Sequence, residues 1–369
     1  MTRAKSYCLF VLLLIAASSW RPVEGSCEQG LSDARFPSPV EAAESGSRRA
    51  VARAEGETDS VCFVNLSDLH FAYDARSGRT RGIGKRSSSH EALPGIVDAL
   101  NREEALDFVV LTGDLTANPT PPVLEQLKQI LGGLRVPYFV VPGNHDAPAR
   151  SSGGGPADVL SFASAFEGHG PRDGRAYWSA DPGRGWHLVG LDSTVPGSHE
   201  GEISARQLQW LEQDLESHRG IPTILISHHG LVPYLPWDEV GDWKGFVVRN
   251  AHQVLATLRR FPSVCLVVTG HHHLCAHLLE DDILHVSCPS VVYWPCRYSR
   301  FLLRGGRLEL STHQALPDDL VEEARKQLLA STSVRAHLKP AGMEGEEVLR
   351  LFMGPERVVV PLPRYGAGR

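Results

Sequence analysis

The chain contains no block of Lys or Arg, and its formal net charge over 369 residues is −6. Gripping duplex nucleic acid requires a basic face, so nothing here points to that activity. None of the seven cysteines forms a CxxC pair, which argues against a structural zinc knot. Beyond the first 25 residues no apolar run reaches the roughly 20 residues that a membrane-spanning helix needs. No internal repeat is evident, and no Ser or Cys nucleophile motif is present, so no covalent enzyme intermediate is called for. Apolar residues make up 42% and charged residues 22% of the chain, ordinary values that exclude disordered and fibrous classes. The length suits one large domain or two smaller ones.

The N-terminus is patterned differently from the rest. Arg3 and Lys5 precede a continuous apolar run, Cys8 to Ala17, which gives way to small and then polar residues. This is the layout of a secretory signal peptide over residues 1–25, with Val23 and Gly25 placed for cleavage before Ser26. An uncleaved membrane anchor is the alternative. Glu24 stands where a lipid-attachment signal at Cys27 would want an apolar residue. The expectation is therefore an exported protein, periplasmic or secreted. Losing Arg3, Lys5, Arg21 and Glu24 leaves the remainder more acidic still. Export permits disulfides, and Cys275, Cys288 and Cys296 lie close enough in sequence for a bridge among them. Cys62 and Cys265 fall inside apolar runs and read as buried free thiols.

Residues 26–58 have little apolar periodicity and read as a flexible lead-in. From Val61 a pattern recurs. Five strand-like runs end in polar residues: Val61–Leu66 before Asp68 and His70, and Phe108–Leu111 before Gly113 and Asp114. Tyr138–Val141 precedes Gly143 to Asp146, Thr223–Ile226 precedes His228 and His229, and Val264–Val268 precedes Gly270 to His273. Helical patterns separate them at about 89–101, 121–132, 156–166, 204–217 and 250–260. Alternating strands and helices predict an α/β layered fold, whose ligands gather at the carboxyl ends of the strands. Residues 274–312 read as short strands with tight turns, forming an antiparallel sheet against the first. Two amphipathic helices are expected within 317–353, and an apolar tail, Val358–Pro361, follows. The expected main domain is 59–313, with a helical extension over 314–369.

The five tips offer imidazole, carboxylate and one amide oxygen, without thiolate. That donor set suits Fe, Mn or Zn. Asp68 and His70 stand two apart, as do His271 and His273; on an extended segment each pair would face one ion. Gly113, Gly143 and Gly270 suit sharp turns at the strand ends. Singly, each tip has a plainer explanation, a turn or helix cap above all. Together and in order they do not.

The blocks Asp68-x-His70, Gly113-Asp114, Gly143-Asn144-His145-Asp146, His228 and Gly270-His271-x-His273 resemble the calcineurin-like metallophosphoesterase pattern over roughly residues 61–313. Leu191-Asp192-Ser193-Thr194-Val195-Pro196-Gly197, Gly201-Glu202-Ile203 and Gln207-Leu208-x-Trp210-Leu211 are similar to the class III cyclic-nucleotide and glycerophosphodiester phosphodiesterases within it. The resemblance implies a four-layer α/β/β/α sandwich of two mixed sheets, with a dimetal site at the strand C-terminal ends. It implies that Asp68, His70 and His273 hold a first ion, that Asn144, His228 and His271 hold a second, and that Asp114 bridges both. It implies that His145 faces the phosphate and that Asp146 holds and polarises His145. The reaction implied is in-line attack of a metal-bridging hydroxide on a small phosphate ester, with His145 assisting the leaving oxygen.

Departures restrict what carries over. Purple acid phosphatases have a Tyr three residues after the bridging Asp; Ala117 stands here. Many members of the subgroup have His-His-Pro at the fourth block, where this chain has His228-His229-Gly230. The following loop, Leu231 to Gly245, is distinctive in carrying Tyr234, Trp237, Asp238, Asp242 and Trp243. A phosphomonoesterase or nucleotidase, a non-catalytic scaffold and a nuclease stay as alternatives. His90, His187, His252 and His285 read as packing or surface residues, His229 and His272 as neighbours of ligands, and Trp178, Trp210 and Trp294 as core.

Overall fold

The computed structural model describes residues 60–72, 89–147, 159–235, 238, 245–338 and 342–365. The expected signal peptide and lead-in lie outside them. Val61–Leu66 (β1) opens the fold as a strand buried on both faces, the position in which a run of Val, Phe and Leu is most stable. Ser89–Leu100 (α1), Phe108–Thr112 (β2), Pro121–Leu131 (α2) and Tyr138–Val141 (β3) follow. Then come a 3-10 turn at Asn144–Asp146, Val159–Ala165 (α3), Trp178–Ala180 (β4), His187–Gly190 (β5), Ala205–Ser217 (α4), Thr223–Ser227 (β6), Ala251–Arg259 (α5) and Val264–Thr269 (β7). The later elements are Ala276–Glu280 (β8), Ile283–Ser287 (β9), Arg297–Arg304 (β10), Arg307–Gln314 (β11), Asp318–Ala330 (α6), Thr332–Leu338 (α7), Glu346–Met353 (α8) and Arg357–Pro361 (β12).

The strands form two six-stranded mixed sheets, in the orders β12-β11-β10-β1-β2-β3 and β4-β5-β6-β7-β9-β8. In the first, β1, β2 and β3 are parallel, and β10 runs antiparallel beside β1. In the second, β5, β6, β7 and β9 are parallel, with antiparallel β4 and β8 at the edges. The alternation of side chains along β1 sets the layers. Val61 and Phe63 face Ile224, Leu266 and Val286 of the second sheet, while Val64 and Leu66 face Leu93, Ile96 and Leu127 of α1 and α2. Leu211, Leu215, Val254 and Leu258 of α4 and α5 cover the outer face of the second sheet. The result is the expected α/β/β/α sandwich. Phe63 stacks between Phe108 and Phe301 at centroid distances of 5.0 and 4.5 Å, and each such buried ring contributes about 1.5–3 kcal/mol.

The segment 274–312 corrects one expectation. It is not a separate antiparallel sheet. The β8–β9 hairpin joins the second sheet, where β9 pairs in parallel with β7, and the β10–β11 hairpin joins the first beside β1. Three helices rather than two occupy 318–353, and the chain then returns as β12 along the edge of β11. Thus, among the described residues of 314–369, the last helix ends at Met353. The five described cysteines, Cys62, Cys265, Cys275, Cys288 and Cys296, are all buried and unbridged, so no disulfide joins the 275, 288 and 296 positions. Among the described residues no helix is long and apolar enough to cross a membrane.

Candidate metal centre

The carboxyl ends of β1, β2, β3, β6 and β7 bring all the expected residues to one place. Asp68, His70 and His273 form one cluster, Asp68, Asp114 and His228 another, and His70, Asp114 and His145 a third, with ligand atoms within 4.8 Å of one another in each. His273 Nε2 lies 3.1 Å from Asp68 Oδ1. Asp114 sits centrally, its Oδ2 3.7 Å from His70 Nε2 and its Oδ1 3.4 Å from His228 Nε2. His228 Nε2 is in turn 3.1 Å from both Asn144 Oδ1 and His271 Nδ1.

The backbone that achieves this is not the extended one expected. Asp68, His70, Asp114, His271 and His273 all have φ between 42° and 66°. Each such residue costs on the order of 1–2 kcal/mol. That five occur at one site shows that the turns after the strands, not strand alternation, aim these side chains. The glycines also differ in their reasons. Gly113 has φ 86°, as a sharp turn requires. Gly143 is needed for space: a Cβ there would strike the Asp114 backbone nitrogen.

Both ring nitrogens of His70 are buried without a hydrogen-bond partner. A buried polar atom left so is costly unless something else satisfies it. Burial, helped by His273 and His145, lowers the His70 pKa to about 4, so the ring is neutral. Burial with His229 and His228 lowers His271 well below the usual histidine value. Burial alone would raise Asp68 and Asp114. The imidazoles of His273 and His228 around Asp68, and of His228 and His70 around Asp114, outweigh it, and both carboxyls stay ionised. Against the pull of burial, Asp114 raises His228 to about 9, so without a metal this ring is protonated at neutral pH. The neutral His70 and His271 imidazoles, the orphaned His70 nitrogens and the ionised Asp68 and Asp114 carboxylates make a donor set that fits hard or borderline metal ions, and His228 would give up its proton to join it.

Asp146 departs from its expected role. Its Oδ2 accepts from the backbone N–H groups of Leu115 and Gly143 at 2.9 and 3.0 Å. Its Oδ1 accepts from the Thr116 N–H and hydroxyl, both at 2.8 Å. The 3-10 turn points Asp146 inward, so it ties the third tip to the second and does not polarise His145. His145 instead has Nδ1 3.4 Å from the Ala117 carbonyl and Nε2 4.0 Å from Asp114 Oδ2, with a side chain 42% exposed.

The sequence reading missed a relay behind Asp68. Asn65 Nδ2 donates to the Thr112 hydroxyl (2.9 Å), which donates to Ser67 Oγ (2.9 Å), which donates to Asp68 Oδ2 (2.5 Å). Its signal was polar Asn65 and Thr112 within apolar strands. His229 and His272 are buried and engaged with protein. His229 Nδ1 is 2.8 Å from Ser193 Oγ, and His272 Nε2 is 2.9 Å from Asp238 Oδ2. Gln207 clamps the Asp192 backbone with two hydrogen bonds of 2.8 and 2.7 Å, and Gly201 leaves room for the His229 ring. The Leu191–Leu211 blocks thus build the wall behind His229. Trp178 is core, its Nε1 donating to the Val140 carbonyl at 2.8 Å.

The sequence profile of the calcineurin-like phosphoesterases matches residues 63–275, which contain every residue of this centre. The chain belongs to the calcineurin-like phosphoesterase family. Its phosphodiesterase relatives include a 3′,5′-cyclic-nucleotide phosphodiesterase of Nostoc sp., 25% identical over 236 residues, covering 63% of this chain and 79% of the relative. The glycerophosphodiester phosphodiesterase GpdQ of Enterobacter lignolyticus is 30% identical over 213 residues, covering 58% and 71%. A dimetal phosphatase from Danio rerio superposes with a TM-score of 0.52 at 17% identity, over 69% of this chain and 96% of that one. That likeness shows the fold. As a member of the family, the chain is a metal-dependent phosphoester hydrolase.

Proposed function

We propose that the protein hydrolyses a small phosphodiester of the cyclic-nucleotide or glycerophosphodiester kind at a centre of two metal ions. Asp68, His70 and His273 would hold the first ion, Asn144, His228 and His271 the second, and Asp114 would serve both. Two such ions would supply positive charge against the phosphoryl oxygens and a water acidic enough to ionise near neutral pH. The observation that carries the reading is the split of Asp114, one oxygen toward His70 and the other toward His228. The relatives named as diesterases support the diester preference.

The chain's own groups do the rest. The Asn65–Thr112–Ser67 relay fixes the Asp68 carboxylate. Asp146 fixes the turn carrying Asn144 and His145. Asn144 and His145 are adjacent on that turn and their side chains diverge: Asn144 meets His228, while His145 stands exposed at the rim. A ring so placed can give a proton to the leaving oxygen, an effect typically of about 10²–10⁴-fold.

The test is a screen of the mature protein with Mn, Fe and Zn in turn. Substrates are bis(p-nitrophenyl) phosphate, p-nitrophenyl phosphate, 3′,5′-cyclic AMP and glycerophosphodiesters. Turnover of the diesters above the monoester is expected. Turnover of the monoester alone would replace this reading with a phosphomonoesterase or nucleotidase.

A further inference from the structure

Tyr293 belongs to none of the motif blocks, yet its ring rests against two of the three residues proposed to hold the first ion. It stacks on the His273 imidazole at 4.9 Å between centroids and 12° between planes. It meets His70 edge-on at 5.1 Å and 79°. His145 approaches the same His70 ring at 4.7 Å and 84°. Tyr293 and His145 therefore border one imidazole, and neither is fully buried.

The turn carrying Tyr293 is fastened to the segment carrying Asp68. Ser290 Oγ donates to the Asp68 carbonyl at 2.9 Å and accepts from the N–H groups of Val292 and Tyr293 at 3.2 and 3.0 Å. The Val291 N–H donates to the Ser67 carbonyl at 3.1 Å. A shift of Asp68 would move Tyr293 with it. The Tyr293 hydroxyl, by contrast, has no hydrogen-bond partner among the described residues. A fixed donor without an acceptor thus stands beside a centre whose substrate brings anionic oxygens, and bonds from a neutral donor to such oxygens are the strong kind.

We propose that Tyr293 is a catalytic residue that donates a hydrogen bond to a phosphoryl oxygen of the ester at the first-ion side of the centre. This rests on the two-ion phosphoesterase reading above. Of the two roles a phenol can take here, donor or ligand, donor is the one proposed, because Asp68, His70, His273 and Asp114 already surround the first-ion position.

The experiment compares wild type with Tyr293→Phe, which keeps the ring against His273 and His70 and removes only the hydroxyl. Metal content, affinity for inorganic phosphate by calorimetry, and kcat/KM for bis(p-nitrophenyl) phosphate are measured on the metal-loaded full chain. The proposal expects unchanged metal content, with phosphate affinity and kcat/KM each reduced by about 10- to 100-fold, as for a lost hydrogen bond to a charged group. Phosphate affinity and kcat/KM both within twofold of wild type would overturn it. So would loss of metal in the variant, or an intense visible band in iron-loaded wild type that the variant lacks; either would make Tyr293 a ligand. A wild type that binds phosphate but hydrolyses no ester would defeat the proposed function separately, since the phosphate comparison needs no turnover.

Discussion

His145 and Asp146 are neighbours in sequence with opposite surroundings, and their variants should separate cleanly. His145→Ala removes a partly exposed ring. It should keep both ions and cost less than about 1 kcal/mol of stability. Its turnover should fall most for an alkyl diester, whose leaving group needs a proton, and least for a nitrophenyl diester. Equal losses on the two substrates would point to charge stabilisation, and loss of metal would make His145 a ligand. Asp146→Ala instead strands four buried donors, from Leu115, Thr116 and Gly143. It should cost about 3 kcal/mol or more, measured by denaturant unfolding of the metal-free protein. A loss as small as that of His145→Ala would contradict the tie drawn here. The residue types at the centre were legible in the sequence because metal chemistry restricts them. The inward turn of Asp146 was not, because adjacency on the chain says nothing about which way a 3-10 turn points.

The same division holds for elements. The five parallel strands that carry the tips were visible as apolar runs, and α4 begins one residue inside its expected limit because Ser204 caps it, accepting from the Gln207 N–H at 3.2 Å. The segment holding β8 to β11 was visible as short strands with tight turns, but not the sheets they join. That choice depends on pairing with β7 across the intervening strand β8 and with β1 far away in sequence, which local patterns do not record. Strand β9 also carries a pH sensitivity. His285 is buried with neither ring nitrogen hydrogen-bonded, and burial lowers its pKa to about 3. The unfolded chain takes up the proton near pH 6.5 and the folded one does not, so stability is lost as pH falls through that window. Between pH 7 and 5 this residue alone should cost about 2 kcal/mol. His285→Leu should flatten the dependence in denaturant unfolding at the two pH values; an unchanged slope would show that another group carries it.

For the whole molecule, the ordered tips indicated one site at the strand ends, and the family resemblance indicated two sheets between helices. The sequence did not indicate that β12 returns to extend the first sheet, since a four-residue apolar tail has no periodicity to reveal its partner. Export is the remaining whole-chain proposal. Protein from the native host should begin near Ser26 by N-terminal sequencing, and a start at Met1 would refute cleavage. The central claim is that two ions act together on one ester. Metal-free protein should be titrated with Mn while hydrolysis of bis(p-nitrophenyl) phosphate is followed. Turnover should rise to a plateau at about two equivalents per chain, and Asp114→Asn should prevent the rise because that carboxylate serves both ions. A plateau at one equivalent, or turnover that needs no metal, would contradict the account.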